Sequence, residues 1–408
     1  MGQLVIAGGG FAGFWAAAAA ARMRRDVPSL ASLEIVLISR DDQLVIRPRL
    51  YEKDPASMTV ALVPRLEAIG VRFEQGEIAA IDVASKVIRA AASVISYDRL
   101  VLATGSQLAR PAGALGARGF DIDTLAGAAA LDRHLHGLAA QPEAHPETEG
   151  RWTVVIAGGG FTGIELATDL PERLRSIAAG GKIRVIVVDI ADRIGASLGD
   201  GPQSAIHEAL AAAGIETRTG VAIASADSAS VVLSSGERIA CRTLVWTTGM
   251  CASPLAAKIS TRTDALGRIE VTPELRVAGV DHVFAAGDVA HAVADDGGHA
   301  ALQSCQHAQM TGRFAGFNAA ADLAGLPLQA YRQPLYTTCL DLGESGAVLT
   351  TGWDRIVQAA GERAKAIKRH INTQLIYPPA DRDAILTAAS PMVMDEKSFK
   401  SRVLGVNS

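Results

Sequence analysis

Short apolar runs recur along this chain, and several of them break on glycine. Val5-Ile6-Ala7 reads as a β-branched strand that ends at Gly8-Gly9-Gly10, and the alanine-rich segment Phe14 to Arg24 then fits a helix. Glu34 to Ile38 resumes as a strand, apolar from Ile35 on. The order returns later, because Val5-Ile6-Ala7-Gly8-Gly9-Gly10-Phe11-Ala12-Gly13 reappears as Val155-Ile156-Ala157-Gly158-Gly159-Gly160-Phe161-Thr162-Gly163. Ile164 to Leu174 is the second helix and Ile183 to Val188 the second following strand. Strand, glycine turn, helix, strand is the repeating unit of a doubly wound parallel sheet, so the pattern predicts an α/β chain with two Rossmann-like units. A further strand, His282 to Ala286, ends at Gly287-Asp288, and a helix is predicted over Gln303 to Leu323. Gln141 to Gly150 is polar and contains proline, which reads as a linker. The expected division is 1–150 for the first part of unit one, 151–274 for unit two and 275–325 for a return to unit one. From about Gly325 the pattern shortens, leaving 326–408 as a small C-terminal region.

The chemistry sits in the duplicated turn. One G-x-G-x-x-G is a weak signal, but two copies framed by strand and helix are a strong one. Gly8 and Gly158 allow the tight turn, Gly10 and Gly160 let backbone approach a pyrophosphate, and Gly13 and Gly163 let helix pack on strand. The phosphates then meet the N–H groups of a helix N-terminus, where the dipole favours negative charge. Gly9, Phe11, Ala12, Phe161 and Thr162 complete the two turns. The copies differ at the ribose end. The second unit has Asp189, placed to accept from a ribose 2′-hydroxyl, whereas the first has Ser39-Arg40-Asp41-Asp42, with serine at the usual acidic place.

Composition narrows the class. Of 408 residues, 49% are hydrophobic and 20% charged, as in folded globular proteins. A net charge of -4 gives no footprint for nucleic acid. The longest apolar run, Phe11 to Ala21, is about half the roughly 20 residues a membrane helix needs, and no basic leader precedes the first motif. Cys241, Cys251, Cys305 and Cys339 are scattered, which suits a reducing cytoplasm and gives no metal or dithiol spacing. The nine histidines offer no metal set either, and His134-x-His136 reads as solvated. A cytoplasmic location is expected, with the cytoplasmic face of the membrane as the alternative.

With these motifs in order, the chain resembles the pyridine-nucleotide, FAD-dependent oxidoreductases, over roughly residues 2 to 325. Tyr97 to Ser106 resembles the family's internal A-T-G motif, with Ala103, Thr104 and Gly105 at its end. Val245 to Gly249 resembles the counterpart after the nicotinamide unit, and Val283 to Asp288 the second FAD motif, whose aspartate, here Asp288, binds the ribityl chain. The resemblance implies non-covalent FAD in unit one and NADH in unit two, and assigns Arg47, Ile78, Gly287 and Cys305 to the cofactor side. Within the superfamily the chain looks most like type II NADH dehydrogenases, which pass electrons from NADH through flavin to a quinone. Glu165 matches that branch's G-G-G-x-x-G-x-E pattern and Gln306 its A-Q-x-A-x-Q-Q-G segment, so both are candidate catalytic residues. A helix-dipole role is the alternative for Glu165, and a packing role for Cys305. Met310 and Thr311 stand where two glutamines are usual, which puts the quinone site in question. A small redox protein such as a ferredoxin is the alternative acceptor, and a non-catalytic flavin redox sensor the third reading. The helix beginning near Gln303 is expected to aim its N-terminus at the pyrimidine end of the flavin.

One C-terminal segment stands apart. Arg363 to Tyr377 fits a helix with Ala364, Ile367, Ile371 and Leu375 along one face, ended by Pro378-Pro379. Arg363, Lys365, Lys368, Arg369 and His370 fall mostly on the other faces. Such a helix either contacts an anionic membrane surface or packs on unit one with the same pattern.

Overall fold

The computed structural model describes residues 2–90, 93–140, 149–393 and 401. Most of the expected linker, 141–148, lies outside the described residues. Two five-stranded parallel sheets carry the fold. The first runs Val283–Ala285, Arg99–Leu102, Gln3–Ala7, Glu34–Ser39, Arg72–Gln75. The second repeats that order with Phe120–Asp121, Thr243–Trp246, Thr153–Ala157, Arg184–Val188 and Glu216–Arg218.

The near-continuous apolar strands are explained by what covers them. Leu4 and Ile6 enter the core on the helix side, while Val5 and Ala7 enter a second core behind the sheet. Val154 and Ile156 against Val155 and Ala157 do the same in the second unit. A three-stranded antiparallel sheet closes each rear core: Ile78–Asp82, Val87–Ala90 and Ser93–Ser96 in one, Ile223–Ala226, Ser230–Leu233 and Arg238–Ala240 in the other. With both faces buried, the central strands are apolar from their second residue on, Leu4 to Ala7 and Val154 to Ala157.

Both glycine turns open helices longer than the pattern indicated, Phe11–Asp26 and Phe161–Ile177. The first packs on Cys305–Leu323 at backbone distance, since β-carbons on Gly312 and Gly316 would strike the carbonyls of Ala12 and Ala16. That contact accounts for the alanine run. Among the described residues no helix is long and apolar enough to cross a membrane.

The C-terminal region is more ordered than its sequence pattern indicated. Thr337–Asp341, Ala347–Thr351 and Ile356–Ala360 form an antiparallel sheet, with helix Gly361–His370 against it through fully buried Ala364. The helix expected over Arg363 to Tyr377 changes at His370 into a π-helical turn, Ile371–Leu375. A π turn rotates less per residue than an α-helix, so Asn372, four residues after buried Lys368, is the buried residue there and Leu375 is only half-buried. Lys365 and Lys368, read as outward cations, point into the molecule; Arg363, Arg369 and His370 remain exposed. Of the two roles open to this helix, packing is the one its inner face performs. His134 is also less solvated than read: its ring lies 4.6 Å from Phe120 and Nε2 is 3.0 Å from Thr243 Oγ1.

Candidate active site between the two nucleotide-type units

The two glycine turns have the same geometry. Gly8 and Gly158 have φ of +119° and +118°, and a β-carbon at either would strike the carbonyl of Ala103 or Thr247. Gly13 and Gly163 press on the carbonyls of Gly8 and Gly158. At Gly10 and Gly160, by contrast, a β-carbon would meet nothing within 4 Å. Each turn is thus closed where helix meets strand and open at the helix N-terminus. No side chain caps either helix, which leaves the first-turn N–H groups to an anion. The arrangement fits a dinucleotide pyrophosphate in both units.

The ribose ends diverge as their residues do. Asp189 Oδ2 accepts from Gly159 N–H and Oδ1 from Ala191 N–H at 2.8 Å, so this carboxylate fixes the glycine turn. Ser39 sits against Gly9, whose β-carbon would lie 2.6 Å from Ser39 Oγ, and Arg40 is exposed. Arg193, which could have screened Asp189, pairs instead with Asp200 at 2.6 Å. Ile78 opens a rear strand and leans on the rear core, and Thr162 and Gly249 are exposed.

Around Asp288 the chain converges from three segments. Ser106 Oγ donates to Asp288 Oδ2 at 2.7 Å, and Arg47 Nη1 lies 3.5 Å from the same oxygen while donating to Ser106 Oγ at 2.9 Å. Arg47 also pairs with Asp123. Burial raises the Asp288 carboxyl despite the Ser106 bond and Arg47. Thr104 Oγ1 is buried here without a partner among the described residues. Helix Cys305–Leu323 begins beside this cluster, with Ser304 as its N-cap. Gln306 Oε1 accepts from Thr337 N–H at 3.4 Å. Burial pushes the Cys305 thiol up to about 11, so it is protonated at neutral pH. All four cysteines are free.

Met310 and Thr311, which stand where two glutamines are expected, make contacts within the fold. Thr311 Oγ1 bonds the His307 carbonyl at 2.8 Å and accepts from Gly287 N–H at 2.9 Å, while Met310 Sδ lies 3.3 Å from Arg313 Nη1.

Glu165 lies beyond the first turn of its helix and is only 3% exposed, so the helix-dipole alternative does not describe it. Its Oε1 accepts from Lys368 Nζ at 2.7 Å and from Asp341 N–H at 3.0 Å. Burial raises its pKa and Lys368 draws it back, leaving it at about 7. For Lys368, burial opposes the charge and the Glu165 carboxylate more than offsets that, so its pKa stands above the usual lysine value. The ammonium lies 5.4 Å and 5.8 Å over the rings of Phe161 and Tyr51. Tyr51 Oη donates to Asp341 Oδ2 at 3.0 Å, and Lys365 Nζ bonds Asp341 Oδ1 at 2.5 Å. The nearby Asp169 carboxyl is likewise raised by burial, to about 7.

Sequence reasoning missed Lys368, Asp341 and Tyr51. One signal was available: Lys368 follows Ala364 by four residues and therefore shares its stripe. Asp341 and Tyr51 carried none.

The fold and the paired turns define a chain with two Rossmann-like units, each carrying a dinucleotide-type glycine turn. The chain belongs to the pyridine nucleotide-disulphide oxidoreductase family, whose model matches residues 2–312. Among curated relatives, an NADH dehydrogenase-like protein of Mycobacterium tuberculosis is 44% identical over 96% of this chain and 99% of its own length. A type II NADH:quinone oxidoreductase of the same organism is 30% identical over 70% of this chain and 66% of its own. Among solved structures, the sulfide:quinone oxidoreductase of Aquifex aeolicus matches with a TM-score of 0.76 at 18% identity, covering 100% of this chain and 96% of that one. NDH2 from Plasmodium falciparum matches with a TM-score of 0.76 at 12% identity, covering 99% of both chains. These two structural matches establish the fold, and the family match, with relatives named NADH dehydrogenase-like, establishes an oxidoreductase.

Proposed function

We propose that this chain uses FAD to carry electrons from NADH to a quinone. The observation that carries the reading is the duplicated cradle, open only at Gly10 and Gly160 and closed at every other turn contact. In unit one, Gly8 to Gly13 would hold the FAD pyrophosphate, Ser39 and Arg40 the adenosine end, and Asp288 the ribityl hydroxyls. Arg47, Ile78, Ala103, Thr104, Gly105, Gly287 and Cys305 would line the remainder. In unit two, Gly158, Gly160, Phe161, Thr162, Gly163, Asp189 and Gly249 would hold NADH. Bound FAD supplies the hydride-accepting chemistry.

The protein residues supply orientation and protons. Glu165, with a pKa of about 7 beside a buried ammonium, can hold or release a proton at working pH. Gln306, fixed by Thr337, presents its amide at the start of the helix whose dipole would stabilise a reduced flavin. Burial of the Cys305 thiol, which keeps it protonated, supports direct electron transfer from flavin to acceptor without a thiol step. The relatives named for NADH and quinone supply the donor and acceptor classes.

A steady-state assay of the FAD-loaded protein tests this, with NADH against menadione, ferredoxin and ferricyanide. Menadione turnover well above ferredoxin turnover is expected. Reduction of ferredoxin alone would replace the quinone with a redox protein, and absence of turnover with every acceptor would favour a sensor.

A further inference from the structure

A cluster not used above joins the start of helix Cys305–Leu323 to the C-terminal hairpin. His307, 1% exposed, has its ring 4.9 Å from Tyr336, and Tyr336 lies 5.2 Å from Trp353. Arg355, 8% exposed, holds its guanidinium 4.6 Å over the Tyr336 ring. Three buried polar atoms in this cluster have no hydrogen-bond partner among the described residues: His307 Nε2, Thr337 Oγ1 and Arg355 Nη1. No carboxylate among those residues pairs with Arg355; the Tyr336 π-face and a hydrogen bond with the Tyr336 side chain lie against its charge.

The chemistry of two of these atoms follows from their neighbours. Ser304 Oγ accepts the His307 backbone N–H at 3.3 Å, as the helix cap, and lies 2.9 Å from His307 Nδ1. The tautomer in which this hydroxyl donates to Nδ1 carries the ring proton on Nε2. Burial, and Arg355 nearby, push the imidazole down to about 4, so it is neutral at physiological pH. In that tautomer His307 Nε2–H joins Arg355 Nη1–H as a buried donor with no acceptor among the described residues, and such groups are costly to leave unmet. Thr337 binds Gln306 through its backbone N–H and keeps its hydroxyl free. These are donors for an oxygen, set in an aromatic wall beside Gln306.

We propose that His307, Arg355 and Thr337 recognise a ring carbonyl oxygen of the quinone. The inference rests on the quinone reading and supplies its specificity residues. It also explains how the chain does without glutamines at Met310 and Thr311: the polar contacts come from His307, on the flavin-facing helix, and from the C-terminal hairpin. The neutral imidazole suits an uncharged carbonyl, and Arg355 suits an oxygen that gains charge as the ring is reduced.

The test uses the FAD-loaded protein and menadione, with 1,4-dimethylnaphthalene as a ring without carbonyls. His307→Phe and Thr337→Val delete one polar atom each, and Thr337→Val keeps the backbone bond to Gln306. Arg355→Met deletes the cation, but Arg355 also packs its backbone on Gly201, so the first two variants carry the test if this one fails to fold. Menadione Kd and KM should rise tenfold or more, dimethylnaphthalene binding should stay within twofold, and anaerobic flavin bleaching by NADH should be unchanged. Folded variants that bind menadione like the parent would show that these atoms hold ordered water only, and would overturn the proposal. If the parent itself neither binds nor reduces menadione, the quinone reading has failed instead.

Discussion

Replacing Lys368 with methionine probes the Glu165 pair directly. Methionine keeps an unbranched side chain against Tyr51 and Phe161 but removes the ammonium 2.7 Å from Glu165 Oε1. Breaking a buried pair by deleting one member costs about 3–5 kcal/mol when the survivor stays charged. Glu165 can avoid that cost by taking up a proton, so the loss depends on pH. Its folded pKa of about 7 stands above the ordinary 4.5, so between those values the folded state keeps a proton that the unfolded chain releases. Stability from this group is therefore present at low pH and falls as pH rises toward about 7. Without Lys368 the carboxyl titrates higher still, and the fall continues past 7 at up to about 1.4 kcal/mol per pH unit. The variant should match the parent near pH 6 and be less stable by roughly 2 kcal/mol near pH 8.5. Urea unfolding of the FAD-loaded proteins at both pH values measures it. The double variant Lys368→Met, Glu165→Gln should lose the pH dependence. A deficit equal at both pH values, or a double variant no more stable than Lys368→Met near pH 8.5, would refute the buried-pair reasoning.

Three other outcomes are expected. Gly10→Ala should fold normally but lose FAD, because its β-carbon enters only the open cradle, whereas Gly13→Ala should lower Tm by clashing with the Gly8 carbonyl; flavin absorbance per protein and melting separate them. NADH should be preferred to NADPH, since Asp189 would face the 2′-phosphate at a cost on the order of 4 kcal/mol for charges about 4 Å apart at an effective dielectric near 20. Asp189→Ser should narrow the kcat/KM ratio and, by freeing Gly159 N–H, also raise KM for NADH. Changing all four cysteines to serine should leave menadione turnover within roughly twofold, given the protonated Cys305 thiol; loss of turnover in a protein still bleached by NADH would argue for a thiol step.

Much of the framework was legible before any coordinates. The parallel strands, the glycine turns and the helices that follow them depend on local sequence: buried strands must be apolar throughout, and only glycine tolerates the φ near +119° and the carbonyl contact at Gly8. The same locality explains why Asp189 could be read as the ribose acid, since it directly ends the strand Arg184–Val188. What sequence could not decide was which partners distant residues would find. Lys368 lies 203 residues from Glu165, and helical periodicity reports the phase of a helix without reporting what waits opposite it. The π turn at Ile371–Leu375 then moved that phase and brought Asn372 to Glu52 at 3.0 Å. His307 likewise reads as an ordinary helix residue until Ser304, Tyr336 and Arg355 surround it and leave its Nε2 without a partner among the described residues. Local sequence determined the two cradles, because backbone sterics act over a few residues. Tertiary packing decided the charge and hydrogen-bond chemistry between them, because desolvation and ion pairing depend on groups brought together only by the folded chain.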